Sequence, residues 1–347
     1  MPIWATIRDV AARAGVSVGT ASKAFNNKGA LSVETREKVL RAATDLHFTP
    51  NALVRSLQRG QTHTIGAFTW PVRGSAMQDI TMAILKGVSE GVASTYRDLL
   101  LYSHPPIEFS YPLPTGHQPV TAATFLDGRV DGLILGPSVV NDEALEMLAN
   151  SQLPVIVLYK HDIPLRMGSV TIDNTSGVFS LIEHLVGLGH KRIAYSSPLN
   201  TPDFRERFDA YSDALSTFGM AVDPELLFVH NQQRFNEQDA ADWFLCRKFA
   251  PTALVAGDDS LAFMWMNVLD SIGKRVPCDI SVVGFDDCPS AANSPGLTTV
   301  RQPAEEVGRT AALFVNKLIG GADPNECRIK LTTELIIRGS TGPVTKG

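Results

Sequence analysis

The N-terminal part of the chain carries apolar positions spaced as in short helices. The first apolar stripe recurs every three or four residues, at Ile7, Val10, Ala11 and Ala14. Thr6 is placed to cap this helix, Asp9 lies three residues further on, and Gly15 is placed to end it. The pattern therefore predicts a short capped helix followed by a tight turn.

A second helix is predicted after Ser17, which is placed to cap it. Its buried side is predicted to consist of Ala21, Ala24 and Phe25. Its other side holds mostly short side chains around one cation, namely Val18, Gly19, Ser22, Lys23 and Asn26. A helix of this kind fits deep into a DNA major groove. With a third helix starting at Ser32, the pattern predicts a helix-turn-helix unit; the alternative is an ordinary helical hairpin.

From about residue 62 onward, short continuous apolar runs alternate with amphipathic stretches. The runs predict strands over residues 64–70, 98–103, 132–135, 154–159, 169–172, 192–197, 226–230, 253–256 and 281–285. The amphipathic stretches predict helices over residues 80–93, 176–188, 203–218, 236–249 and 261–272. This alternation predicts an α/β body built from doubly wound parallel sheets.

The two patterned regions are joined by a short segment. Pro50 marks a helix start, and residues 51–58 provide two turns before Gly60, too few for a stable isolated helix in water. The predicted division is therefore a DNA-binding headpiece over residues 1–49, a hinge helix and linker over 50–61, and a body over 62–347.

Charge separates the same two regions. Residues 1–61 hold nine Lys and Arg against four Asp and Glu, a net charge of +5, and the remainder carries −10. A basic N-terminal region joined to an acidic body fits a headpiece that binds nucleic-acid phosphates and a body that binds a different kind of partner. No run approaches a membrane span, and the N-terminus lacks the features of a secretory signal, so we expect a cytoplasmic protein without membrane contact.

Signatures of catalysis are weak. The four cysteines form no Cys-x-x-Cys pair, and His184 and His190 are six residues apart, the wrong spacing for two ligands on one helical face. The sequence contains no Gly-rich phosphate loop and no nucleophile elbow. Paired carboxylates at 258–259 and 286–287 leave hydrolysis as an alternative. We predict no enzyme, and hence no catalytic residue, metal ligand or cofactor.

Several segments together resemble the LacI/GalR family of bacterial transcription regulators. In the headpiece and hinge they are residues 7–11 (IRDVA), 14–17 (AGVS), 26–29 (NNKG), 32–39 (SVETREKV) and 50–57 (PNALVRSL). In the body they are residues 131–135 (DGLIL), 173–174 (DN), 188–194 (LGHKRIA), 281–287 (SVVGFDD) and 297–303 (LTTVRQP). The order and spacing of these segments make the resemblance specific over nearly the whole chain.

The resemblance implies an all-α helix-turn-helix headpiece and an α/β, periplasmic-binding-protein-like body of two doubly wound subdomains. We place the three chain crossings between the subdomains near residues 159–163, 289–294 and 320–324. The N-subdomain would then span about 62–161 and 292–321, and the C-subdomain about 162–291 and 322–340. The implied function is a repressor whose affinity for a near-palindromic operator is controlled by a small molecule, a sugar, bound between the subdomains of a homodimer. The alternative is a free sugar-binding protein or a carbohydrate-processing enzyme with the same body.

The resemblance also implies residues that contact DNA. Val18, Gly19 and Lys23 match the family's specificity positions; Val18 offers an apolar contact and Lys23 a donor for guanine. Lys23 stands where an arginine is usual, which puts bidentate recognition in doubt, and a solvated lysine is the alternative. Two roles remain open, either contacts to DNA phosphates that position the protein or helix caps, for Thr6, Ser17, Thr20, Ser22 and Asn26. The hinge that starts at Asn51 is expected to fold on the operator, with Leu57 wedged into the minor groove or, alternatively, packed in the linker.

In the body, the resemblance implies an effector cleft. Arg207 matches an effector-contacting arginine and Asp286 a cleft aspartate, although an internal ion pair is the alternative for both. Asp258 stands where relatives usually have Asn, and its extra charge argues against an anionic effector. The remaining candidates are aromatic or apolar: Phe235 near a stacking position, and Trp70 and Met77 on the opposite wall. Carboxylates, a guanidinium and an aromatic face suit a polyhydroxyl ligand.

One segment departs from the family's pattern. Residues 104–119 contain five prolines, which rule out a regular helix there. A rigid surface loop is the simpler interpretation, and a rim element that shapes the cleft or the dimer contact is the other. No leucine heptads occur near the end of the chain, so the dimer is not expected to pair further.

Overall fold

The computed structural model describes residues 5–26, 31–49, 60–68, 75–102, 122–136, 142–199, 201–230, 235–247, 250–293 and 296–344. The chain forms two compact units, Met1–His63 and Thr64–Gly347. The body thus begins two residues after the predicted start at 62. Residues 50–59 of the predicted hinge and linker and the proline-rich segment 104–119 lie outside the described residues.

The N-terminal unit contains three helices, α1 (Ile7–Ala14), α2 (Val18–Asn26) and α3 (Val33–Asp45). Thr6 and Asp9 form a capping box at the start of α1, and Gly15 ends the helix in the left-handed conformation with φ +65°. Ser32 caps α3 by accepting a hydrogen bond from the backbone N–H of Thr35. The core of the unit is made of small and β-branched side chains, mainly Val10, Ala11, Ala14, Ala21, Ala24 and Val39.

The body contains twelve strands among its described residues. They are β1 (Thr64–Phe68), β2 (Asp98–Tyr102), β3 (Gly132–Leu135), β4 (Val155–Leu158), β5 (Gly168–Ile172), β6 (Ile193–Ser197), β7 (Leu227–Val229), β8 (Ala253–Ala256), β9 (Ser281–Asp286), β10 (Thr298–Arg301), β11 (Arg328–Leu331) and β12 (Glu334–Ile336). The helices are α4 (Ser75–Ser94), α5 (Ala122–Phe125), α6 (Asp142–Ala149), α7 (Asn174–Gly187), α8 (Pro202–Thr217), α9 (Glu237–Leu245), α10 (Asp259–Ser271) and α11 (Ala304–Ile319).

These strands form two six-stranded sheets, so the body has two halves. The first sheet has the order β11-β5-β4-β3-β1-β2 and is parallel throughout. The second has the order β12-β10-β9-β8-β6-β7, and only its edge strand β12 is antiparallel. Helix α11 packs on the first sheet, whereas α7 and α10 pack on the second. The predicted α/β body of two doubly wound halves is confirmed.

The chain crosses between the halves at other places than predicted. Because β5 pairs in parallel with β4 and β11, it belongs to the first sheet, and the chain crosses only after it, at 173. The second crossing joins β10 to α11 at 302–303, and the third joins β11 to β12 at 332–333. The predicted crossings near 159–163, 289–294 and 320–324, and the subdomain limits drawn from them, are therefore wrong. Their polar and proline-rich residues form turns within one half: the last two run through short 3₁₀ helices, Pro289–Ala292 and Pro324–Cys327.

Helices α4 and α11 approach each other unusually closely. A Cβ atom at Gly308 would overlap the carbonyl oxygen of Ile84, and one at Gly87 would overlap the carbonyl oxygen of Glu305. The two backbones are therefore in direct contact, which only glycine permits. An ion pair between Arg309 and Glu90, at 2.6 Å, flanks this contact.

Candidate functional sites

Helix α2 has a buried side and an exposed side. Ala21 and Ala24 lie in the core of the N-terminal unit. Val18, Gly19 and Lys23, the three residues predicted at base-contacting positions, are all exposed, and Val18 has 44% of its surface accessible. The three candidate base-contacting residues are therefore accessible to a binding partner.

Gly19 is surrounded by open space. A Cβ at this position would meet only the Oγ of Ser17, at 3.8 Å, which is an ordinary contact. Packing within the unit therefore does not require glycine, although glycine weakens a helix by about 1 kcal/mol relative to alanine. Glycine at an exposed helical position lets another molecule approach the backbone closely.

The hydroxyl residues near α1 and α2 act as caps. The carboxylate of Asp9 accepts a hydrogen bond from the Thr6 backbone N–H at 2.7 Å, and the Oγ of Ser17 accepts one from the Thr20 backbone N–H at 3.1 Å. Ser22 is half-buried. The remaining candidates in this region, the side chain of Asn26 together with Asn51 and Leu57, lie outside the described residues.

In the body, a buried arginine organises a polar cluster. Arg207, on α8, is 5% exposed, and its Nε donates to the Oδ1 of Asn174 at 2.9 Å. One Nη donates to the carbonyl oxygen of Gly257 at 2.7 Å and lies 3.8 Å from the Oδ1 of Asp286. The guanidinium stacks on the ring of Phe285, 3.7 Å from its centroid. The cluster therefore brings together two of the predicted residues, Arg207 and Asp286.

Asp286 ends strand β9 in a strained backbone conformation. Its φ is +130°, in the region that favours glycine. Its carboxylate accepts a hydrogen bond from the Nε2 of Gln302 at 2.6 Å. Burial raises the pKa of Asp286 well above its ordinary value, although the nearby Arg207 opposes this. A strained backbone and a strongly shifted pKa at the end of a strand are typical of a functional site.

Two further aspartates lie close to Arg207. Asp258 caps α10 by accepting a hydrogen bond from the Leu261 backbone N–H at 2.8 Å, and burial raises its pKa while Arg207 opposes the rise. Asp203, on α8, accepts from the Nδ2 of Asn174 at 3.2 Å. Burial raises the pKa of Asp203 to about 6, again against the pull of Arg207. Asp203 thus joins the two aspartates predicted in the cleft, Asp258 and Asp286.

A tyrosine from the first half of the body faces this cluster. Tyr159 directly follows β4 with φ +56° and is 6% exposed. Its hydroxyl has no hydrogen-bond partner among the described residues. Burial raises the pKa of Tyr159, Asp203 and Asp286 raise it further, and Arg207 opposes them. The hydroxyl is therefore aimed at the charged cluster on the other half of the body.

An ion pair also links the two halves. The Nε2 of His161 lies 3.5 Å from the Oε2 of Glu206, which also accepts from the Nδ2 of Asn174 at 2.8 Å. The hydrogen bond with Glu206 raises the pKa of His161 despite its partial burial. Burial acts to raise the pKa of Glu206, but hydrogen bonds from His161 and Asn174 outweigh it and lower that pKa.

Sequence analysis missed several members of this cluster: Tyr159, His161, Asn174, Asp203, Glu206 and Gln302. A usable signal was present, because several of them follow the carboxyl end of a strand. Tyr159 follows β4, Asn174 lies just after β5, and Gln302 follows β10. Ligands of open α/β sheets bind outside the carboxyl ends of the strands.

The predicted aromatic wall is described only in part. The ring of Phe235 packs edge-on against Phe228 and Trp265, with centroids 5.9 Å and 5.6 Å away, so it belongs to an aromatic cluster at the second sheet. Trp70 and the side chain of Met77 lie outside the described residues. Among the residues that are described, no cluster of three or more side chains suits a metal ion, and no helix has the length and apolar character needed to cross a membrane.

Comparisons with known proteins agree with the two units of the fold. Residues 6–51 match the family model of bacterial regulatory proteins, lacI family, and residues 182–341 match that of the periplasmic binding protein-like domain. The chain is 30% identical to the HTH-type transcriptional regulator RegA of Clostridium saccharobutylicum, over 97% of this chain and 99% of RegA.

Solved structures show the same likeness. The lac repressor dimer bound to operator and the anti-inducer ONPF superimposes with a TM-score of 0.79 at 25% identity, covering 97% of this chain and 99% of that one. The complex of the transcriptional regulator CelR with cellobiose superimposes with a TM-score of 0.68 at 27% identity, with the same coverage.

A helix-turn-helix unit joined to a periplasmic-binding-protein-like body defines a DNA-binding transcription regulator controlled by a small molecule. The chain belongs to the LacI family of bacterial regulatory proteins.

Proposed function

We propose that this chain is a cytoplasmic, homodimeric repressor that releases or holds its operator according to a sugar bound between the two halves of its body. One observation carries the proposal: a buried cluster around Arg207 lies where the carboxyl ends of strands from both sheets meet. Two headpieces are needed to bind a near-palindromic site, which favours a dimer. The structure of the lac repressor dimer on operator, described above, supports this arrangement by likeness.

For DNA, we propose that the exposed side of α2 enters the major groove. Lys23 would donate to a guanine and Val18 would contact a thymine methyl group, while Gly19 permits close approach. Phosphate contacts are proposed for Thr6, Ser17, Thr20, Ser22 and Asn26, whose hydroxyl and amide groups suit this role. In the hinge, Asn51 and Leu57 are proposed to bind the minor groove once operator DNA is present.

For the effector, we propose that Arg207, Asp258 and Asp286 bind sugar hydroxyl groups. Carboxylates accept hydrogen bonds from hydroxyls, and a guanidinium donates to them. Apolar contacts are proposed for Trp70, Met77 and Phe235. A complex of a relative with cellobiose supports a carbohydrate ligand. No catalytic role is proposed, since the relatives described above are transcription regulators.

Selection from a random duplex DNA library by the full-length protein tests the proposal. We expect enrichment of one near-palindromic sequence, whose affinity falls steeply with salt because phosphate contacts release counterions. A sugar panel added to the purified complex should then contain at least one member that changes this affinity. Enrichment of no sequence, or a nearly flat salt dependence, would contradict DNA-binding by the headpiece.

A further inference from the structure

The wall around Arg207 holds more carboxyl groups than cations. Asp203, Asp258 and Asp286 all lie close enough for Arg207 to lower their pKa values, yet burial keeps each of them raised. One guanidinium therefore acts electrostatically on three carboxyl groups. Two other cations act on this region: His161 pairs with Glu206, and Lys330 acts on His161 and Glu206.

Two of the five N–H donors of Arg207 are engaged within the protein. Its Nε is bound by Asn174 and one Nη by the carbonyl oxygen of Gly257, while the flat face of the guanidinium covers Phe285. An anionic ligand would meet three carboxyl groups beside this single guanidinium. A ligand cation would instead lower their raised pKa values and favour their ionised forms, so this wall favours a ligand that brings positive charge with it.

Helix capping does not explain the charge of Asp258. The Asp258 side chain accepts one hydrogen bond at the start of α10, from the backbone N–H of Leu261. Asparagine caps helices about as well as aspartate does. The negative charge at this position is thus not required by the fold.

Two buried polar atoms beside the cluster point independently to a ligand. The Oη of Tyr159 and the Oε1 of Gln302 have no hydrogen-bond partner among the described residues, and the two side chains are 6% and 7% exposed. The amide nitrogen of Gln302 is held by Asp286, which fixes its oxygen as an acceptor. Buried polar atoms are normally hydrogen-bonded, so the oxygen of Gln302 lacks a donor, and the hydroxyl of Tyr159, which can donate or accept, lacks a partner.

We propose that the ligand of this cleft carries a protonated amino group in addition to hydroxyls, as an amino sugar does. The ammonium would lie among Asp203, Asp258 and Asp286, and its hydrogens would also reach the acceptors offered by Tyr159 and Gln302. This inference rests on the proposed function of the cleft and deepens it by naming the charge of the effector.

Matched pairs of monosaccharides test the inference on the full-length protein at neutral pH. The pairs are glucosamine with glucose, galactosamine with galactose, and mannosamine with mannose, with N-acetylglucosamine as the uncharged amide. Affinities come from calorimetry and thermal shift. We expect at least one amine to bind about tenfold or more tightly than its neutral counterpart, because a hydrogen bond to a charged group is worth that much. If no amine binds more tightly than its partner, the inference is wrong.

Charge-removing variants localise the effect. Asp258→Asn keeps the cap, and Asp203→Asn keeps the shape of the side chain; each should reduce the preference for the amine several-fold. Asp213→Asn is the matched control, because Asp213 is exposed on the same helix as Asp203. A preference that survives in both cluster variants would show that the amine is recognised elsewhere, which overturns the assignment.

The outcome also separates this inference from the proposed function. A neutral sugar that binds best and alters operator affinity would support the proposed function and overturn the inference that the ligand carries an amino group. An amine that binds best but leaves operator affinity unchanged would support the charged cleft and overturn its role as the effector site.

Discussion

Lys23 is the residue on which specific DNA recognition is expected to depend most. We predict that Lys23→Ala weakens operator binding by about 1–3 kcal/mol and binding to random DNA much less, because base contacts specify whereas phosphate contacts only position. Fluorescence anisotropy with both DNAs measures the difference. The control is Lys38→Ala, at an exposed position of α3. It should weaken the binding of both DNAs equally, or the binding of neither. Equal losses for Lys23→Ala would make Lys23 a phosphate contact.

Asp203 should make stability depend on pH. Its pKa is raised to about 6 by burial, from an ordinary value of 3.8. An acid whose folded pKa is raised contributes stability that is present below the ordinary pKa and lost as the pH rises through the folded one. Asp203→Asn should therefore gain stability relative to the wild type between about pH 4 and pH 7, by about 1–2 kcal/mol.

Thermal unfolding across this pH range checks the prediction, with Asp213→Asn as the exposed control. Glu206, His161 and Arg207 surround Asp203, and neither variant replaces them. A difference between Asp203→Asn and wild type that does not vary with pH would show that Asp203 has an ordinary pKa in the folded chain.

At the residue scale, the sequence identified three charged members of the site and missed its other charged and polar members. Arg207, Asp258 and Asp286 were predicted because they fall in segments that resemble the family. Asn174 was not, although it joins Arg207 to Asp203. Its role depends on the meeting of α7 and α8, a contact between residues distant in sequence that no local pattern encodes.

At the element scale, the close contact between α4 and α11 depends on glycine. We predict that Gly308→Ala destabilises the body by about 1–3 kcal/mol or more, because the added methyl group meets the backbone of α4, which has no room to yield. Gly187→Ala is the matched control: Gly187 is also helical, but a Cβ there has nothing within 4 Å.

Urea unfolding of the two variants measures the contrast. The control should be neutral or stabilised by up to about 1 kcal/mol, since alanine favours a helix over glycine. Equal behaviour of the two variants would mean that the helices separate at little cost.

Strands made of continuous apolar residues were predictable, whereas the strands rich in polar residues, β10, β11 and β12, were not. The apolar run Gly132–Leu135 is completely buried, and its predicted limits are those observed. The edge strands β11 and β12 were missed because exposed charged residues such as Lys330 and Glu334 interrupt their apolar pattern. Missing β11 also hid the third crossing, because its place became clear only from the pairing of β11 with β5.

At the scale of the whole molecule, the two sites should be linked thermodynamically. If the effector weakens operator binding tenfold, the operator must weaken effector binding tenfold, about 1.4 kcal/mol. We predict that Arg207→Lys, which loses the paired contacts to Asn174 and Gly257, keeps operator affinity but loses the response to the effector. Leu57→Ala should do the reverse.

Operator titrations with and without ligand check both variants, and ligand titrations of the DNA-free proteins confirm that each change acts at its own site. An Arg207→Lys protein that responds normally, or a Leu57→Ala protein that binds operator normally, would contradict the proposed coupling.

The crossings between the two halves have a mechanical consequence. The first and third are tied together, since Thr333 Oγ1 donates to the carbonyl oxygen of Asp173 at 3.0 Å. The first leads directly into Asn174 and the second contains Gln302, and both residues belong to the charged cluster. A molecule held by the cluster would therefore contact residues of two crossings directly. We expect its binding to change the angle between the two halves through these contacts, without an intermediate element.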